Sequence, residues 1–163
     1  WHVHNGKPPK EKIVMPFSML LNIVGSSNAK NKNILWKFIN KFHQNITPEG
    51  HPILDNLTEY AINYFKDKVE PIKNFKKPNP EEKAALKNLV VKLEKINQNF
   101  KPEDIQTILY SVGKENGYET KLRDWFKLIY EVLFGEKDGP RMGFFISFFG
   151  VKETINLIND KIK

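Results

Sequence analysis

The sequence predicts an all-α protein. Apolar residues recur at spacings of three and four along most of the chain, prolines and glycines stand where helices can start and stop, and strand-type alternation is nearly missing. The expected architecture is a bundle or cage of about eight helices in two small subdomains, preceded by an extended tether. A chain of about 150 residues buries about 70% of its extended surface, so 163 residues suffice for a real core. No repeat of fixed period is present, and the apolar stripes differ in length and residue type, which argues against a solenoid.

Residues 1–16 read as the tether, because Gly6, Pro8 and Pro9 break a short alternating start at Trp1-His2-Val3-His4. Residues 17–69 form the first expected subdomain. A short apolar helix covers about Phe17–Gly25. A second, about Asn33–Phe42, places Leu35, Phe38, Ile39 and Phe42 on one face. Either Pro48 or Pro52 can open the third, which carries Leu57, Tyr60, Ala61, Tyr64 and Phe65 and ends near Val69, before Pro71.

Residues 70–79 read as a basic linker and residues 80–163 as the second subdomain. Asn79, Pro80 and Glu82 form the signature of a capping box with proline at the first helical position. The stripe Leu86, Leu89, Val90, Leu93 and Ile96 follows. Pro102 opens a fifth helix that Gly117 ends. The sixth has the strongest pattern, with Leu122, Trp125, Phe126, Ile129, Tyr130 and Leu133 on one face and a stop at Gly135. Pro140 is expected to open a short apolar helix to Phe149, and Val151, Ile155, Ile158 and Ile162 mark the last.

The chain begins with Trp1 and has no signal-peptide pattern, so it is expected to be a fragment of a longer protein. No apolar run approaches the roughly 18 residues of a membrane span. Cysteine is absent, which excludes disulfides, zinc–thiolate sites and a cysteine nucleophile, and fits a reducing compartment such as the cytoplasm. Of the net charge of +7, residues 1–79 carry +6. That asymmetry suits a polyanion such as RNA.

Catalytic signatures are missing: there is no phosphate-cradling glycine loop, dinucleotide fingerprint or metalloprotease helix. Glu81-Glu82 and Glu103-Asp104 fall in helix first turns, where the dipole explains them without catalysis. His2, His4, His43 and His51 are read as surface residues. No catalytic residue and no metal ligand is assigned. Two groups remain as binding candidates. Lys66, Lys73, Lys76 and Lys77, with Phe75 among them, can meet phosphates and stack on a base. The turn Gly139-Pro140-Arg141-Met142, with Phe145 beyond it, offers N–H groups at a helix start and a forked guanidinium. Four Phe within six residues, Phe144, Phe145, Phe148 and Phe149, exceed one helix face, so part of that aromatic surface is expected outside.

The runs Pro16-Phe17-Ser18-Met19-Leu20-Leu21-Asn22, Leu35-Trp36, His51-Pro52 and Leu54-Asp55 resemble the region after the catalytic domain of class I (archaeal-type) lysyl-tRNA synthetases. So do Tyr110–Glu115, Leu122-Arg123-Asp124-Trp125-Phe126, Tyr130–Leu133, Gly139-Pro140-Arg141-Met142-Gly143 and Gly150-Val151 with Glu153-Thr154. The resemblance spans nearly the whole chain and is weakest over 66–104. It implies an anticodon-binding domain for a lysine-accepting tRNA, joined to an upstream catalytic domain that uses ATP and Mg²⁺. The HIGH and KMSKS motifs of that domain are absent, so these residues alone are expected not to aminoacylate. By the same resemblance, Gly139, Pro140, Arg141, Met142 and Phe145 lie by the anticodon, and the lysines by stem phosphates. Alternatives are the related region of a glutamyl-tRNA synthetase, or a helical protein-interaction module with a basic face.

Overall fold

The computed structural model describes residues 15–163, apart from the side chain of Phe42. Most of the expected tether, with His2 and His4, lies outside the described residues. Eight α-helices and no strand occur among those described: α1 (Phe17–Ser27), α2 (Lys32–Phe42), α3 (Pro52–Tyr64), α4 (Pro80–Glu94), α5 (Pro102–Gly113), α6 (Leu122–Leu133), α7 (Met142–Phe149) and α8 (Val151–Lys161). The protein is all-α.

Local chemistry sets most of the ends. Pro52, Pro80 and Pro102 each occupy a helix first turn. The Asn79 side chain accepts the Glu82 N–H at 2.8 Å, and the Glu82 carboxylate accepts the Asn79 N–H at 2.9 Å, so two of the orphan donors of α4 are satisfied reciprocally. Asn28 closes α1 at φ 56°, a left-handed position that asparagine tolerates. Two helices do not stop cleanly. α3 runs on through a wide π-turn, Phe65–Val69, and a 3₁₀ turn, Glu70–Ile72. α5 runs on through Lys114–Tyr118 until Gly117, at φ 91°, turns the chain.

The buried side chains form one connected core reaching from Met19 to Ile162, across both expected subdomains. Trp125 is fully buried and donates its indole N–H to the Leu109 carbonyl at 2.8 Å. Gly113 makes that possible, since a Cβ there would stand 2.6 Å from the indole Cδ1. Trp36 of α2 instead donates to Asp55 of α3 at 2.9 Å, and Lys32 pairs with the same carboxylate at 3.0 Å. A file of rings links the two halves: Phe134 meets Phe145 at 4.8 Å, Phe145 meets Phe149 at 5.3 Å, and Phe149 stacks on Phe38 of α2 at 5.2 Å. Lys41 of α2 pairs with Glu153 of α8 at 3.0 Å.

The most extensive helix contact is α5 on α7. It depends on Gly143, whose absent Cβ would lie 2.5 Å from the Pro102 carbonyl oxygen and 2.9 Å from the Gln106 Oε1. The buried Gly143 N–H donates to that oxygen of Gln106 at 2.8 Å. A methyl group at position 143 has backbone in its way, so the helices must separate. Gly143→Ala is expected to lower stability by about 1–3 kcal/mol, the usual range for overpacking. Urea unfolding followed by circular dichroism measures it, and an unchanged midpoint would refute the close approach.

Candidate functional site

The segment from α6 to α7 is held before it reaches α7. Gly135, at φ 70°, reverses the chain after Phe134. The Tyr130 ring lies against Gly139, where a Cβ would come within 3.1 Å of it, and the Tyr130 hydroxyl donates to the Pro140 carbonyl at 2.9 Å. Burial pushes the Tyr130 phenol above its ordinary value, and the charge of Asp138 adds to the shift. Pro140 is therefore a buried turn residue and not the first residue of α7. The helix starts two residues later, at Met142, with Arg141 as its cap at φ −58° and ψ 121°.

That register decides which side chains reach solvent. Arg141 is exposed and Gly139 is exposed, whereas Pro140, Met142 and Phe145 are buried. Phe145, read from sequence as a base-contacting ring, is 0% exposed and packs on Phe134 and Phe149. Phe144 is the outward ring instead, 44% exposed, with the Arg141 guanidinium 6.0 Å from its centroid. The Gly143 N–H, expected among the open donors of this helix start, is taken by Gln106.

Arg141 and Phe144 border a cleft of about 500 Å³. The start of α1 also lines it, through Pro16, Ser18 and Met19, as do His43 after α2 and Phe148. The cleft thus joins two segments more than a hundred residues apart in sequence. Its walls are mainly apolar, and a guanidinium, an imidazole and a hydroxyl are the polar side-chain groups. A flat ring can lie against Phe144 while the guanidinium forks onto carbonyl oxygens at the ring edge.

Residues 70–79 are not a free linker. After the 3₁₀ turn the Asn74 N–H donates to the Gly135 carbonyl at 3.2 Å, the Lys76 N–H to the Glu131 carbonyl at 3.0 Å, and the Lys73 ammonium to the Phe134 carbonyl. A helix leaves its last carbonyls without intrahelical partners, and this segment supplies partners to the end of α6. Lys73 is half-buried, with its ammonium 5.2 Å from the Phe65 ring and 5.7 Å from the Phe75 ring. Burial pulls its pKa below the ordinary 10.5, with Glu136 opposing and Lys161 reinforcing. Lys76 pairs with Glu82 at 2.9 Å, and that hydrogen bond raises its pKa. Phe75 is 45% exposed but has the Lys161 ammonium 3.7 Å from its centroid. Lys66 and Lys77 are exposed and have no ion pair among the described residues. Of the five linker and π-turn residues predicted to meet phosphates and stack, Lys73 and Lys76 are committed to internal partners, and Lys66 and Lys77 face outward. No group of three or more His, Asp or Glu is placed to hold a metal, and no helix is long and apolar enough to cross a membrane, among the described residues.

Residues 21–162 match the anticodon binding domain family. The chain belongs to that family. Its anticodon-binding domain is 37% identical to the lysine–tRNA ligase of Rickettsia felis over 163 residues, covering 99% of this chain and 31% of that protein. It is 38% identical to the enzyme of Rickettsia bellii over the same share of each chain. With the enzyme of Roseobacter denitrificans the identity is 39% over 159 residues, 98% of this chain and 30% of that one. The chain thus spans about a third of the length of these relatives. No solved structure matches it.

Several residues that shape this anticodon-binding domain's cleft were not singled out from sequence. Gln106 was invisible as the partner of Gly143, 37 residues away, Met19 reaches the cleft through the packing of α1 on α2 and of α2 on α7, and His43, read from sequence as a surface residue, lines the cleft as well. Phe144 was part of an apolar run, and only the start of α7 at residue 142 separates it from its buried neighbours.

The Lys76–Glu82 pair carries a pH signature. Burial pushes the Glu82 carboxyl up, but the Asn79 N–H and the Lys76 ammonium outweigh it and hold the group below its ordinary 4.5. A carboxyl lowered on folding contributes stability that is present above its unfolded pKa and lost as pH falls through the folded one. Glu82→Gln is expected to be less stable than the parent at pH 7, with the difference closing as pH falls through the lowered folded-state value of Glu82, below which both side chains are neutral. Urea midpoints measured from pH 7 downward follow it. A difference that does not narrow as the pH falls would assign the loss to geometry and not to charge.

Proposed function

We propose that these residues bind the anticodon stem-loop of a lysine-accepting tRNA, as part of a lysine–tRNA ligase of the class I (archaeal) type. The longer enzyme is an aminoacyl-tRNA synthetase of the cytoplasm. It attaches lysine to tRNA with ATP and Mg²⁺ on a catalytic domain elsewhere in the same polypeptide. The portion described here recognises RNA and does not itself aminoacylate. Family membership and the names of the relatives support the ligase reading. The class I assignment is supported by the runs Leu122–Phe126 and Gly139–Gly143.

The observation that carries the mechanism is the exposed Arg141 guanidinium beside the exposed Phe144 ring at the mouth of a mainly apolar cleft. A lysine anticodon is rich in uridine, a small base whose edge carries two carbonyls and one N–H. Single-stranded bases are read when they leave the stack, lie on an aromatic face and are hydrogen-bonded at the edge. Phe144 supplies the face and Arg141 the donors. Tyr130 and Gln106 act at one remove: they fix the Pro140 carbonyl and the Gly143 N–H, and so the position of Arg141 between them. Lys66 and Lys77 hold phosphates without reading sequence.

Two gel-shift series test the division of labour. Arg141→Ala is expected to weaken a lysine-accepting tRNA roughly 10- to 100-fold more than a noncognate one, the loss that goes with one forked base contact. Equal losses on both would refute base reading by Arg141. Lys66→Ala with Lys77→Ala is expected to weaken both tRNAs alike and to flatten the log–log salt dependence by about 0.7 per lost phosphate contact. An unchanged slope would remove these lysines from the interface.

A further inference from the structure

A second exposed surface is shared by α1 and α3. Phe17 packs between Tyr60 and Tyr64 of α3, with ring centroids at 5.5 and 5.6 Å, and the two tyrosines stack on each other at 5.9 Å. Tyr60 is 58% exposed and Tyr64 is 38% exposed. Neither hydroxyl has a hydrogen-bond partner among the described residues. Rings with an apolar body and an open polar tip are enriched where proteins meet one another.

The charges nearby separate the possible occupants. α1 carries no charged residue, and α3 carries Asp55 and Glu59 but no lysine or arginine. Lys66 and Lys68 follow on the π-turn beyond α3, but no ammonium or guanidinium stands over the Phe17, Tyr60 or Tyr64 ring among the described residues, whereas Arg141 stands over Phe144 at the cleft. The ring face itself therefore offers RNA no charge partner, and Glu59, beside Tyr60, opposes a phosphate there.

Its size separates the remaining protein partners. A fully buried aromatic side chain contributes about 150–250 Å², so three partly exposed rings supply on the order of 300 Å². A stable complex between separate molecules needs about 800 Å² from each side. A neighbouring domain on the same polypeptide docks at an effective concentration near the millimolar range and manages with a smaller apolar centre. The relatives place about two-thirds of their length outside the region this chain covers.

We infer that Phe17, Tyr60 and Tyr64 form the seat for another domain of the same longer chain. This rests on the reading that the residues belong to such a chain, and it assigns α1 a double role, with Pro16, Ser18 and Met19 toward RNA and Phe17 toward protein. Docking there would set the angle at which the Arg141 cleft faces a tRNA held elsewhere on the enzyme.

The test uses the full-length protein with the photo-crosslinker p-benzoylphenylalanine in place of Tyr60, irradiated in the presence of tRNA. The expected product is an intramolecular cross-link to a peptide outside these 163 residues, located by mass spectrometry. A cross-link to tRNA, a covalent dimer, or no cross-link at all would each overturn the inference. Tyr60→Ser with Tyr64→Ser, both at exposed positions, is expected to leave binding of an isolated anticodon stem-loop within about twofold. A loss of tenfold or more would place the rings in the RNA interface. Failure of the Arg141→Ala series with the expected cross-link intact would sink the RNA mechanism and leave the docking surface standing.

Discussion

The Gln106 amide, reaching from α5 to the N–H of Gly143, fixes α7 in place, and α7 carries both the buried and the exposed parts of the site. The bond exists because position 143 has no side chain and α5 and α7 approach until a methyl group would strike the Pro102 carbonyl. From that contact the rest follows in sequence. With the start of α7 set at Met142, Phe145 and Phe149 turn into the core and join the ring file to α2, while Phe144 turns out beside Arg141. The same helix therefore anchors the fold through one set of rings and leaves another, Phe144, exposed beside the Arg141 guanidinium. A helix of eight residues in which Ser147 is the one polar side chain has no polar face to guide it, so a tertiary hydrogen bond takes over that task.

The basic segment 70–79 shows how charge that suits a polyanion also serves the fold. The end of α6 presents carbonyls that need donors, and a partial negative charge that favours cations. Lys73 answers both needs with one ammonium, and the backbone of Asn74 and Lys76 answers the first. Lys76 also fastens the segment to the capping box of α4 through Glu82. Two helices, α4 and α6, are thereby tied by a strand of chain that looks like a flexible connector in sequence. Within the segment, Lys77 is the exposed lysine with no ion pair among the described residues.

Features were legible from sequence where their causes lie within a few residues of one another. The Asn79, Pro80 and Glu82 start of α4 needs only three neighbours, and the stripe around Trp125 needs only helical spacing. The all-α class follows from many such stripes together. The start of α7 was not legible, because Tyr130 holds Pro140 from ten residues away and Gln106 holds Gly143 from 37. The roles of Lys73 and Lys76 were hidden for the same reason: their partners on α6 and α4 are set by packing. Of the candidate site, the Gly139–Met142 turn and Arg141 were placed by residue type, but the choice of Phe145 over Phe144 depended on a helix register that local signals put two residues too early.

The two described tryptophans stand in opposite surroundings, and that gives each half of the molecule its own optical reporter. Trp125 is sealed in hydrocarbon with its N–H on a backbone carbonyl, whereas Trp36 has a carboxylate at its N–H and an ammonium beyond that carboxylate. An indole in an apolar well emits toward the blue, and one with charged groups at its N–H emits in the field of those charges. Besides the light from Trp1, the emission of the folded protein therefore holds two distinguishable components, one belonging to the contact of α2 with α3 and the other to the packing of α6 under α5.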